Sequence, residues 1–265
     1  MKLMIRAVVL CLVVVAIGFT QDRVSSTTGE INGNSVSVLE KMPQSLEVRF
    51  ALSALPQFLR NDATVYVLDP ARGYSLARQG NNGQSCFVER TEWKKAEYRD
   101  DIYTPICYDS AGAKNQMQVY FDVAELRAKG ISAATVKKEI EAKFADGIYK
   151  APSRAGFSYM VAPIMRTSVS PDPNNKTVMT FSMPHIMYYA PNVTQADVGG
   201  AQPMGPYPVV SQPGPQGYLI QSLGQAESAQ ILSDESALVE DLCRYRSFLC
   251  LKANGALGSA SEKMK

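Results

Sequence analysis

The 265-residue chain has a single histidine, His185, and a single tryptophan, Trp93. One histidine excludes metal centres built from several imidazoles and any catalytic dyad of two histidines. Past residue 20 no uncharged apolar run approaches the roughly 17 to 25 residues of a spanning helix. The charge balance is also flat, with 27 basic residues against 25 acidic ones. Removing Lys2 and Arg6 with a leader leaves 25 of each sign, so no electrostatic footprint for nucleic acid or anionic lipid is visible. The chain has no internal repeat and no Gly-x-Ser-x-Gly nucleophile motif. No cofactor, no metal, no nucleic-acid partner and, after leader cleavage, no membrane span are expected.

What is present begins at residue 1. Met1 to Arg6 carries two positive charges, Ala7 to Phe19 is an uncharged apolar run of 13 residues, and a polar exit follows at Thr20-Gln21-Asp22. That layout is a secretory signal peptide over residues 1–20, cleaved near Gly18 or Thr20. Phe19 weakens the small-residue cleavage pattern, so a retained anchor is the alternative. Leu10 stands before Cys11 where a lipid-attachment site would have a small residue. The implied destination is exported: periplasm, cell envelope or secreted.

Four cysteines follow the leader: Cys86, Cys107, Cys243 and Cys250. In an oxidising compartment an even count reads as disulfides, with three possible connectivities. Cys86 with Cys107 is the favoured pair, closing a loop of about twenty residues. If residues 234–249 form one unbroken helix, Cys243 and Cys250 lie about 10 Å apart, too far to bond. Either the helix breaks between them, or they pair elsewhere, or they stay as free buried thiols.

Residues 21–43 are rich in Ser, Thr, Asn and Gly and read as a linker or disordered start. The core domain is expected over 44–222, a helical extension over 223–252 and a frayed tail over 253–265. Leu46, Phe50, Ala54 and Phe58 recur at helical spacing, with a break at Pro56. Strands are expected at 63–68, 74–78 and 85–89, joined by Asp69-Pro70-Ala71-Arg72-Gly73 and Gly80-Asn81-Asn82-Gly83 turns as an antiparallel meander. Residues 91–112 read as irregular, and 117–123 as ambiguous between strand and helix. Gly130 ends one helix and Ser132 caps another carrying Val136, Ile140 and Phe144, which together make an αα-hairpin. Further strands are expected at 156–162, 164–169, 177–181, 186–190 and 218–220, with a Pro/Gly-rich excursion across 203–217. Leu238, Leu242, Tyr245 and Leu249 mark one face of a C-terminal helix. These elements predict an α+β fold: an antiparallel sheet of about five to seven strands, the αα-hairpin on one face and a C-terminal helix.

The stretch from about Ser53 to Ile220 resembles an uncharacterised group of exported bacterial proteins with no established activity. The residues that carry the resemblance are Thr64-Val65-Tyr66-Val67-Leu68 with Gly73-Tyr74, Asn82-Gly83 with Cys86, and Pro105-Ile106-Cys107-Tyr108-Asp109. Phe144-Ala145-Asp146-Gly147, Gly156 with Tyr159-Met160, and Pro184 to Pro191 continue it. Thr194 with Asp197-Val198-Gly199, and Gly214-Pro215-Gln216-Gly217-Tyr218, complete it. The resemblance implies export and assigns no residue a role.

His185 is the one candidate general base, or a lone metal ligand, and otherwise a buried histidine held by a single hydrogen bond. Catalysis would require a nucleophile, drawn from Ser158, Ser182, Cys86 or Cys107, and an orienting acid, drawn from Asp101, Asp109 or Asp197. Asp100-Asp101 with Asp109 offers carboxylates for a glycosidase-type pair or, more plainly, a solvated acidic loop. Asp172, Asn174 and Asn175 have a calcium-loop look without its later glutamate and read as a turn. Tyr188, Tyr189, Tyr207 and Tyr218 flank the proline-rich excursion and are candidate binding residues. The expected function is a non-catalytic envelope or secreted protein that binds a protein or small ligand through segments 91–112 and 182–217. The alternatives are a hydrolase using His185 and a structural envelope component.

Overall fold

A computed structural model of the chain describes residues 39–170, 172, 174–200 and 207–252. The leader, most of the 21–43 segment, the tail from 253 and the start of the proline-rich excursion lie outside the described residues.

The described chain is α+β. In order it forms α1 (Gln44–Ser53), β1 (Thr64–Asp69), β2 (Gly73–Arg78), β3 (Ser85–Glu89), β4 (Thr104–Tyr108), α2 (Ser110–Ala128) and α3 (Ala133–Ala145). Then come β5 (Phe157–Met160), β6 (Met165–Ser168), β7 (Val178–Phe181), β8 (His185–Tyr189), β9 (Val209–Ser211), β10 (Tyr218–Ser222), α4 (Gln225–Asp234) and α5 (Ser236–Tyr245). Eight strands make one sheet in the order β2-β1-β3-β4-β5-β8-β10-β9, and β6 and β7 form a separate hairpin. The strand count therefore exceeds the expectation.

The expected antiparallel meander is also corrected, because β3 pairs with β1 in parallel rather than with β2. The cause is local. After β2 the chain crosses beneath the start of β1, where Asn81 and Asn82 N–H groups donate to Asp62 O and Gly80 N–H donates to Thr64 Oγ1. A Cβ on Gly80 would collide with the Asp62 carbonyl and the Ala63 backbone, so only glycine permits the crossing. The remaining neighbouring pairs of the main sheet are antiparallel.

β4 lies in the 91–112 segment that was expected to be irregular, and it holds a proline, Pro105. Cys86 and Cys107 face each other with Cα atoms 4.1 Å apart, the spacing of a non-hydrogen-bonded pair. Val88 and Pro105, two residues along, fall in the same class, so Pro105 needs no donor toward β3. On its other side the β5 ladder reaches only Cys107 and Tyr108, and the bridge to Arg166 is made by Tyr103. Pro105 sits in the gap between them, which is why a central strand tolerates it.

The ambiguous 117–123 segment is helical, and its helix starts earlier, at Ser110. Asp109 is the N-cap: Oδ1 accepts from Ala111 N at 3.0 Å and Gly112 N at 2.9 Å. Ser132 caps α3 through Thr135 N, as expected, and α2 and α3 form the αα-hairpin. Alternation sends Phe87, Ile106, Tyr108, Met187 and Tyr189 to the α2 face of the sheet. Cys86, Val88, Val65 and Cys107 point to the opposite face, against Phe50, Ala51 and Ala54 of α1. That second face is closed by Leu238 and Leu242 of α5 and by Leu249. The sheet is thus covered on both sides, and the C-terminal segment belongs to the same core as α1.

The expected single C-terminal helix is broken. α5 stops at Tyr245, Arg246 is extended at φ −144°, and a short turn of helix covers Ser247–Leu249. The break brings Cys250 back to Cys243, and the two form a disulfide, as do Cys86 and Cys107. Among the described residues no helix is long and apolar enough to cross a membrane. Two disulfides and the absence of such a helix are compatible with an exported protein.

Candidate functional site

The residues singled out from the sequence do not converge. His185 opens β8 with only 2 % of its surface exposed. With its proton on Nδ1, the ring donates to Met183 O at 2.7 Å. Burial pushes its pKa down to about 4, partly opposed by that hydrogen bond. Cys86 and Cys107 are consumed by their disulfide. Ser158 and Ser182 have buried hydroxyls without a partner, and neither is bonded to His185. Asp101 is held by Arg99 and Arg166, Asp109 by the α2 backbone, Arg154 and Tyr189, and Asp197 by Thr194. Asp172 and Asn175 accept from the backbone N–H groups of Asn174 and Thr177, as turn residues do. Among the described residues no group of three or more His, Cys, Asp or Glu side chains could hold a metal ion.

The histidine has a measurable consequence. Between pH 6.5 and 4 the unfolded chain binds a proton that the native ring refuses, so stability falls as pH drops through that window. His185→Asn keeps a donor for Met183 O and removes the titration. Its acid-unfolding midpoint, followed by circular dichroism, should lie about half a pH unit below that of the parent. An unchanged acid limb would contradict the assignment.

The four tyrosines divide between the sheet faces. Tyr189 is buried and donates to Asp109 Oδ1 at 2.9 Å, whereas Tyr188, its neighbour in β8, points the other way and is 42 % exposed. Tyr207 is exposed at the rim of the sheet, and Tyr218 is buried in β10.

Tyr218 lines a cavity. The cavity measures about 530 Å³ and lies on the α2 face of the sheet. Glu89 at the end of β3 and Tyr218 form its floor, Val119 and Tyr120 of α2 and Phe144 of α3 its wall. Glu92, Trp93 and Lys94 close one side, and Gln212, Pro213, Pro215 and Gln216 the other. The cavity therefore draws on both segments, 91–112 and 182–217. Its size falls within the usual range for small-molecule sites. Gln216 is anchored by donating to Asn115 O and Lys150 O, which ties the proline segment to the ends of the hairpin. A second recess, about 450 Å³ and more apolar, runs between Leu55, Pro56 and Val161 on one side and Leu223 and Ile231 on the other.

The electrostatics of the first cavity are unusual. Burial pushes the Glu89 carboxyl up to about 8, the nearby Glu92 adds to the rise, and Lys94 opposes it. Among the described residues Glu89 has no hydrogen bond or ion pair, while Glu92 Oε2 accepts from Ser168 Oγ at 2.8 Å. Lys94 reaches solvent, yet protein atoms crowd its ammonium, and that desolvation lowers its pKa against the pull of both glutamates. Tyr108 and Tyr218 hydroxyls lie 3.1 Å apart behind the floor. Burial raises Tyr108, Tyr120 and Tyr218 above the ordinary phenol value, so all three are neutral at physiological pH.

No protein-family model matches this chain, and no curated protein or solved structure is significantly similar to it.

Glu89, Glu92, Lys94, Tyr120 and Phe144 were not picked out from the sequence. One signal was there to use. In β3 the alternation Ser85, Phe87, Glu89 places a carboxylate in register with inward-facing Phe87, and the lone tryptophan follows four residues later.

Proposed function

We propose that the chain is an exported, non-catalytic protein that binds a small ligand in the Glu89 cavity. The observation that carries this is a half-buried carboxyl with no hydrogen bond or ion pair among the described residues, set in an aromatic-walled recess of about 530 Å³. Burying a carboxyl that makes no hydrogen bond is costly, and groups perturbed in this way cluster where a ligand supplies the partner. The meeting of the 91–112 and 182–217 segments at this recess supports binding over a purely structural role. Export is supported by the basic-then-apolar leader, by two disulfides and by the resemblance to exported bacterial proteins. A hydrolase built on His185 draws no support from its surroundings, since the ring is held by backbone and its bonded partners include no carboxylate or nucleophile.

Trp93 is the only tryptophan and lines the cavity, so its emission reports occupancy. Titrating the oxidised protein with a panel of small amines, sugars, aromatic acids and peptides should give at least one saturable change in that emission. A panel that leaves it unmoved, with Trp93 still quenchable by iodide, would overturn the binding proposal. Export is tested separately: the N-terminus of protein recovered outside the cytoplasm should begin near Gly18 to Gln21.

A further inference from the structure

We infer that this cavity takes an organic cation, a small molecule whose ammonium group sits beside Glu89 and whose apolar or aromatic body rests on Trp93, Phe144 and Tyr120. The inference rests on the function proposed above and names the ligand class of the same site.

Three features of the cavity point to positive charge. The first is the acid pair. Glu89 and Glu92 both line the recess against one cationic side chain, Lys94, and Glu92 is already engaged by Ser168. An anionic ligand would meet the Glu92 carboxylate and oppose ionisation of Glu89, against a single ammonium that reaches solvent. The second is the wall. Trp93 and Phe144 stack with ring centroids 6.3 Å apart, and Tyr120 and Tyr218 complete an aromatic lining. Aromatic faces attract cations and are worth most where water is excluded. The third is the unpartnered state of Glu89 itself. A neutral ligand could give it a hydrogen bond, but only a cation also favours its ionised form against desolvation and Glu92.

The same geometry couples binding to proton release. Burial and Glu92 keep Glu89 protonated at neutral pH, and an ammonium beside it favours the ionised form. The titratable groups facing Glu89 are Glu92 and Lys94 from the following loop, Tyr120 from α2, Tyr218 from β10 and Tyr74 from β2. Burial holds all three phenols neutral across the range concerned. Lys94 is the one other group whose titration favours cation binding as pH rises.

Isothermal titration calorimetry on the oxidised full chain tests the inference with two probes. Benzyltrimethylammonium carries a charge that does not titrate, and benzyl alcohol has a similar ring and no charge. The cation should bind at least about tenfold more tightly than the alcohol, and its affinity should rise about tenfold or more from pH 6 to pH 8.5. Glu89→Gln should remove most of both differences. Equal binding of the two probes, or a pH profile of undiminished size in Glu89→Gln, would overturn the cation inference and leave the pocket proposal standing. If neither probe binds, the cation inference fails, while the pocket proposal is judged by the wider Trp93 panel. The parent protein's preference for benzyltrimethylammonium over benzyl alcohol keeps the test decisive should the variant fail to fold.

Discussion

Replacing Cys86 and Cys107 together by alanine is expected to cost about 3 kcal/mol of stability on the chain-entropy account. The two residues are 21 apart in sequence, and the bond joins β3 to β4 at the centre of the main sheet. Both are fully buried against α1, so truncation to alanine also removes packing there. The Cys243–Cys250 bond closes a span of only 7 residues, and its removal should cost about 2 kcal/mol on the same account. Urea unfolding of the two double variants in parallel checks the order. An inverted order, with the C-terminal pair mattering more, would mean that the 243–250 closure, not the β3–β4 tie, holds α5 and the sheet together.

Glu47→Gln should stabilise the protein by about 3 kcal/mol at pH 8 and by almost nothing at pH 4. Glu47 lies on α1 with 1 % of its surface exposed, and its Oε1 accepts Leu68 N–H at 2.8 Å. The parallel β1–β3 ladder covers only Thr64 and Val65, so this carboxyl satisfies a β1 amide beyond the point where β3 leaves. Burial pushes its pKa from 4.5 up to about 7, opposed by the Leu68 amide, Arg90 and Lys41. The native state therefore holds a proton that the unfolded chain has released between those values, and stability falls as pH rises from 4.5 to 7. Glutamine retains the acceptor for Leu68 and has no charge to bury. Denaturant melts at the two pH values test this, and a gain of equal size at both would rule out ionisation as its source.

Most of the strands, the second helix of the hairpin and the turn before it were legible because their patterns are local. Val65, Tyr66 and Val67 alternate as a strand, and Ser132 and Gly130 bracket the hairpin turn through capping and a positive φ of 75°. The misses share a different cause, since each is decided by a neighbour distant in sequence. β4 was missed within the irregular 91–112 segment, and the tolerance of Pro105 in it depends on where the β5 ladder stops. Asp109 looked like a loop carboxylate because its capping role shows only once the helix is seen to begin at Ser110. Gly80 gave no sign that it passes beneath β1 and reverses the pairing of β3. The C-terminal break is the intermediate case: the cysteine spacing posed the choice, and the extended Arg246 resolves it. For the site, the two segments were named but their meeting point was not, because Glu89 and Phe144 reach it from a strand and a helix outside both.

The most direct measurement is a two-dimensional proton–nitrogen NMR titration of the oxidised protein with benzyltrimethylammonium. The account predicts shifts at the Trp93 indole, at amides 89–94 and at the amides of Gln212, Gly214, Gln216 and Tyr218, with the rest of the sheet unmoved. Shifts gathered instead around Leu55, Val161 and Ile231, with the tryptophan signal fixed, would contradict it.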